Sequence, residues 1–156
     1  MPGDRPTWGM DQGRFRPPRT MAVMWYAMTR RQPRLSPEAF ALLVEEAIAC
    51  IPESIRRYLD NILISVQQRP APEVLDELGM APDEPLFGVY SGVPLIERSL
   101  VEPPLYPDTI FIFQQPLEEA CNSCDELMEE IEITVVHEIA HLVGFTDEEL
   151  DDLGYG

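Results

Sequence analysis

Apolar and polar positions alternate along this chain in blocks of two different periods, and the blocks predict its elements. Phe40, Leu43, Val44 and Ala47 recur at helical spacing after Ser36-Pro37-Glu38. Ser is a good N-cap, Pro suits a first helical turn, and Glu complements the helix dipole. The spacing therefore predicts an amphipathic helix over 37–50, stopped by Pro52. Ile62-Leu63-Ile64-Ser65-Val66 is apolar and β-branched between polar turns, so it predicts a strand. Pro72 to Leu78 predicts a short helix closed by Gly79, Leu86 to Tyr90 a second strand, and Thr109-Ile110-Phe111-Ile112-Phe113 a third, fenced by Pro107 and Pro116. The Pro-rich stretch 94–108 reads as a loop.

From Ser123 to about Val143 the period is helical again. Leu127, Ile131, Thr134, Val135 and Ala140 fall on one side, and Glu126, Glu129, Glu130 and Glu132 mostly on the other. Gly144 has the place of a C′ glycine. Thr146-Asp147-Glu148-Glu149 has the form of a capping box and predicts a last helix over 147–153. Helices and a few strands without an internal repeat give an α+β (mixed α/β) class.

Charge divides the chain. Residues 1–34 carry seven Arg against two Asp, net +5; residues 35–156 carry four Arg against 26 acids, net −22. The first segment is rich in Gly, Pro and Arg and holds no periodic pattern, so it reads as a disordered extension, with a boundary near Arg34. An upstream start, with Met28 the natural one, is the other reading. Met21 to Met28 is apolar, but Thr29-Arg30-Arg31 is no signal-peptide cleavage site. The domain proper is 35–156. Its acidity excludes nucleic acid as the main ligand and opposes docking on anionic lipid. It favours cationic partners, metal ions among them.

The only two histidines form His137-Glu138-Ile139-Ala140-His141, H-E-x-x-H inside a predicted helix. Residues four apart share one helix face, so both imidazoles can reach one ion. Glu138 is turned about 100° away, beside that ion, where a base for an activated water belongs. Gly144 then permits a sharp reversal, and Asp147, three residues later, can supply the third ligand through a carboxylate oxygen. Glu148, Glu149 and Asp151 are alternatives for that ligand. Three protein ligands and one open position are the arrangement of a catalytic zinc site.

These residues resemble the small bacterial minimal-zincin metallopeptidase family. The likeness covers about 36–156 and runs through Gly92-Val93-Pro94-Leu95-Ile96-Glu97-Arg98, the strand 109–113 with Gln115-Pro116-Leu117-Glu118, Ile133 to Asp147, and Asp152-Leu153-Gly154-Tyr155. It implies a small sheet packed against an N-terminal helix and an active-site helix, one Zn2+ per chain on His137, His141 and Asp147, Glu138 as general base, and a peptide or protein substrate. One departure matters: larger metzincins carry a Met-bearing turn after the third ligand, and no Met follows Asp147 here.

Other signals are weaker. Cys121-Asn122-Ser123-Cys124 lacks the setting of a redox pair and the further ligands of a structural metal site, and Cys50 reads as a core residue. Three cysteines without a disulfide pattern fit the cytoplasm. The acidic helix expected over 118–132 reads as a solvated face. Thr109–Phe113 is the strand edge on which a peptide could dock, although at least two of Ile110, Phe111, Ile112 and Phe113 should be core. The competing readings are a non-catalytic zinc-binding interaction module of zincin fold and a zinc-dependent RNA hydrolase. Glu138 speaks against both, because a structural site needs no such base, and the −22 body disfavours RNA.

Overall fold

The computed structural model describes residues 32–93 and 107–155. The expected extension over 1–34 lies outside these apart from Gln32–Arg34, and so does most of the expected 94–108 loop. Helix α1 (Pro37–Cys50) forms for the reasons its sequence offers: the Ser36 hydroxyl accepts from the Ala39 N–H at 3.2 Å, Pro37 occupies the first turn, and Phe40, Val44 and Ala47 are buried. Ile51 leaves the helical conformation, and Pro52 caps a short helix α2 (Glu53–Arg56) that runs into a 3-10 turn over Arg57–Leu59.

Strand β1 (Leu63–Gln67) starts one residue later than its apolar run, because the Ile62 N–H closes the preceding turn on the Leu59 carbonyl. Helix α3 (Pro72–Glu77) ends at Gly79, whose φ of +67° is the left-handed conformation that glycine takes without steric cost. Strands β2 (Gly88–Ser91) and β3 (Thr109–Phe113) complete a mixed sheet in the order β1–β3–β2. β3 runs parallel to β1, Leu63 opposite Thr109, and antiparallel to β2, Tyr90 opposite Ile110. Thr109–Phe113 is thus the central strand and not the edge expected from its sequence. Its continuous apolar run is the reason: Ile110, Ile112 and Phe113 are all buried.

Two further expectations are corrected. Pro116 does not end an element but lies in the first turn of helix α4 (Gln114–Ala120), where its missing N–H has no intrahelical partner to lose. Cys121 then returns to extended backbone, so the acidic stretch 118–132 is broken before helix α5 (Cys124–Val143) restarts at Ser123. Glu118 is not solvated. It is 5% exposed, accepting from the Leu35 N–H at 2.8 Å and from Gln114 Nε2 at 3.0 Å, while Gln114 also donates to the Leu35 carbonyl at 2.8 Å. Buried charge is tolerated where hydrogen bonds replace water, and these tie the segment before α1 to α4.

The core lies between α1, α5 and the sheet. Leu127, Ile131, Val135 and Ile139 of α5 are fully buried and cluster with Phe40, Val44, Ala47, Ile110 and Ile112. Cys50, expected in this core, is exposed at the last position of α1. No described helix is long and apolar enough to cross a membrane.

Candidate active site

Helix α5 carries the whole H-E-x-x-H string in unbroken helix and ends two residues after it, at Val143. Its N-terminus is fixed by the Ser123 hydroxyl, which accepts from the Glu126 N–H at 3.1 Å. Its C-terminus is fixed by Gly144 at φ +79°, whose N–H bonds the Ala140 carbonyl at 2.8 Å. The chain reverses there, and Thr146 starts helix α6 (Asp147–Asp152) with a reciprocal capping box to Glu149. Asp147 is the first residue of that helix, immediately beyond the reversal.

His137 and His141 are both exposed, on the one face of α5 that is not packed into the core. Together with Ala140, Gly144, Phe145 and Leu150 they line a cleft of about 240 Å³. Among the described side chains no three of His, Cys, Asp or Glu form a metal-holding group, so the described donor set is this imidazole pair. Two imidazoles one helical turn apart, open to a cleft, fit a borderline-soft cation such as zinc. A larger cavity of about 530 Å³, lined by Arg69, Leu75, Pro85 and Glu119 among others, contains none of the motif.

Glu138 is half-buried beside the pair, and its carboxylate Oε2 accepts from the backbone N–H of Tyr90 in β2 at 2.7 Å. Burial pushes its pKa above the ordinary carboxylate value; the Tyr90 bond and the two neighbouring histidines pull the other way without reversing it. The bond exists because β2 approaches α5 closely at Gly88. A Cβ on Gly88 would stand 2.7 Å from Thr134 Cγ2 and 2.9 Å from the Phe111 carbonyl oxygen. Only glycine lets the strand lie so near the helix.

With that geometry in place, comparison with known families decides the assignment. The model of the zincin-like metallopeptidase family matches residues 59–156, more than half of the chain. The chain belongs to this family. No curated protein matches it. Membership in a zincin-like metallopeptidase family implies zinc binding and agrees with the α+β arrangement of helices around a small mixed sheet.

Two contributors to this site were not singled out from sequence. The Tyr90 N–H could not be, since a backbone donor has no residue signature. Gly88 could have been, because a glycine inside a strand pattern marks close backbone approach. The terminal Asp152–Tyr155 string was noted only as part of the family likeness, yet the Tyr155 carbonyl lies 2.9 Å from His137 Nε2.

The cysteines stand apart. Cys50 and Cys121 are free thiols. Cys121 is buried, and that burial, followed by the charges of Glu130 and Glu126, pushes its pKa up to about 11. A thiol so protonated is a poor nucleophile, which counts against a redox role for Cys121 and Cys124.

Proposed function

We propose that this protein is a zinc-dependent peptidase that binds one zinc ion through His137, His141 and Asp147 and uses Glu138 as its general base. The observation that carries the reading is Glu138 held by the Tyr90 N–H at 2.7 Å, beside two exposed imidazoles on the same helix. A metal site that served only stability would have no use for a carboxylate so placed.

Bound there, zinc supplies Lewis acidity, polarising the scissile carbonyl and making water a competent nucleophile near neutral pH. The protein's own groups do the rest. Glu138 takes a proton from the attacking water and returns it to the departing amine. A carboxylate within reach of both the water and the departing amine can serve as base in the first transfer and as acid in the second. The Tyr90 N–H fixes one carboxylate oxygen and leaves the other for this exchange.

A peptide is best accommodated as an added strand. In the described sheet β2 is an edge strand that also packs against α5, so the substrate lies along β2. The shallow cleft suits short or unfolded peptides. The free thiols of Cys50 and Cys121 suit a reducing compartment such as the cytoplasm.

The test uses Glu138→Gln and Asp147→Ala on a mixed peptide library, with zinc content measured in parallel. Glu138→Gln should keep its zinc and lose at least about 10²-fold in hydrolysis, the lower range for a positioned acid–base group. Asp147→Ala should lose zinc and activity together. Full-rate cleavage by Glu138→Gln would refute the base assignment. A zinc-loaded parent that cleaves nothing would transfer the site to a binding role.

A further inference from the structure

Tyr155 follows α6 and is held at three points. Its N–H donates to the Leu150 carbonyl at 2.9 Å. Its phenol donates to Glu132 Oε1 at 2.6 Å. Its own carbonyl oxygen lies 2.9 Å from His137 Nε2. Gly154, at φ +85°, makes the reversal that brings the residue back onto α5. Glu132 and His137 are both on α5, so one residue spans from the body of that helix to its first metal-site histidine.

The contact has a chemical consequence. An imidazole nitrogen bonds a carbonyl only while it carries the proton, and it binds a metal only through the lone pair it has once the proton is gone. Nε2 is the ring nitrogen farther from the backbone. It has the reach to share an ion with an imidazole one helical turn away. The Tyr155 carbonyl and a metal ion therefore compete for the same atom.

We propose that the 153–155 turn is a latch on His137: its carbonyl competes with zinc for Nε2, and the bond between the Tyr155 phenol and Glu132 is its catch. The proposal rests on the metal-centre reading above. In the latched conformation Nε2 of the first histidine is engaged by the carbonyl, so the apparent zinc affinity through that atom is reduced by the fraction of chains that are latched. Zinc entry releases the turn, and loss of zinc lets it close again, which keeps the histidine from binding stray cations weakly.

The experiment is zinc titration of the full chain against a chromophoric chelator. Tyr155→Phe removes the catch, keeps the ring and the carbonyl, and changes no charge. It should bind zinc roughly two- to tenfold more tightly, the factor given by losing one hydrogen bond of ordinary net strength from the latched form. Glu132→Ala should also bind more tightly, although removing a negative charge near a cation would by itself weaken binding. Glu132→Gln, which keeps an acceptor for the phenol and loses the charge, should bind zinc no more tightly than the parent. Nitrogen-15 shifts of the chelated parent should show His137 with its proton on Nε2, and Tyr155→Phe should lower that fraction. Equal or weaker zinc binding by Tyr155→Phe, with the parent binding normally, would overturn the latch and leave the metal centre standing. If neither parent nor Tyr155→Phe binds zinc, the metal-centre reading falls and the latch with it.

Discussion

Replacing Gly88 by alanine tests whether the approach of β2 to α5 sets up the site. The added methyl would lie 2.7 Å from Thr134 Cγ2 and 2.9 Å from the Phe111 carbonyl oxygen. Optimal carbon contacts are at about 3.5–4.0 Å, so the strand must retreat by roughly 1 Å or more. Thr134 cannot yield cheaply. It is buried on α5, and its hydroxyl is fixed to the Glu130 carbonyl at 2.7 Å. The Phe111 oxygen belongs to the central strand and is no freer. Overpacking of this kind costs about 1–3 kcal/mol. For a domain of this size that is a fall in Tm of roughly 2–12 °C. A retreat of 1 Å would also stretch the 2.7 Å bond between Tyr90 and Glu138 beyond hydrogen-bonding range. Thermal unfolding reads the first effect and peptide hydrolysis the second, while zinc content should remain at the parent level because the atoms nearest the added methyl belong to Thr134, Phe111 and Ile112 and not to a histidine. Thr134→Ser in the same background removes the nearer obstacle and should recover part of the loss. A Gly88→Ala variant with unchanged Tm and unchanged hydrolysis would refute the reasoning.

Two further outcomes follow from the buried polar groups. Gln114→Ala strips the Leu35 carbonyl and the buried Glu118 of a donor, and at about 1–3 kcal/mol for each orphaned group it should lower the urea midpoint clearly; an unchanged midpoint would show that the segment before α1 does not depend on this network. Cys121, with its pKa raised from 9.0 to about 11, should be alkylated far more slowly than the exposed Cys50 at pH 8. The unfolded thiol loses its proton first, so above about pH 9 the folded state binds more protons and stability should decline as pH rises toward 11. A Cys121→Ser chain should lack that part of the decline.

Local chemistry was legible in the sequence wherever it decides structure by itself. Ser36-Pro37, Ser123, Gly144 and the Thr146–Glu149 box each mark a helix end that the structure reproduces, and the helical period places His137 and His141 on one face. The continuous apolar run of β3 is visible in the sequence and fits a central strand, but which strands flank it was not legible, because β1 and β2 are distant from it in the chain. Pro116 was misleading, since a proline after a strand can end it or open a helix, and only the packing of Leu117 and Glu118 chooses between them. Glu118 shows the same limit. Nothing in an acidic run distinguishes the one carboxylate that finds a buried backbone N–H from its solvated neighbours. The hold on Glu138 comes from a main-chain group, which composition and motif cannot reveal.

The central claim is that α5 is the metal-binding helix of a zincin-like peptidase, and zinc stoichiometry tests it most directly. Elemental analysis of the purified chain, dialysed against buffer with trace zinc, should give about one equivalent, and His137→Ala and His141→Ala should each fall well below it because no other histidine exists to compensate. Equal zinc in the parent and both variants, or none in any of them, would contradict the account.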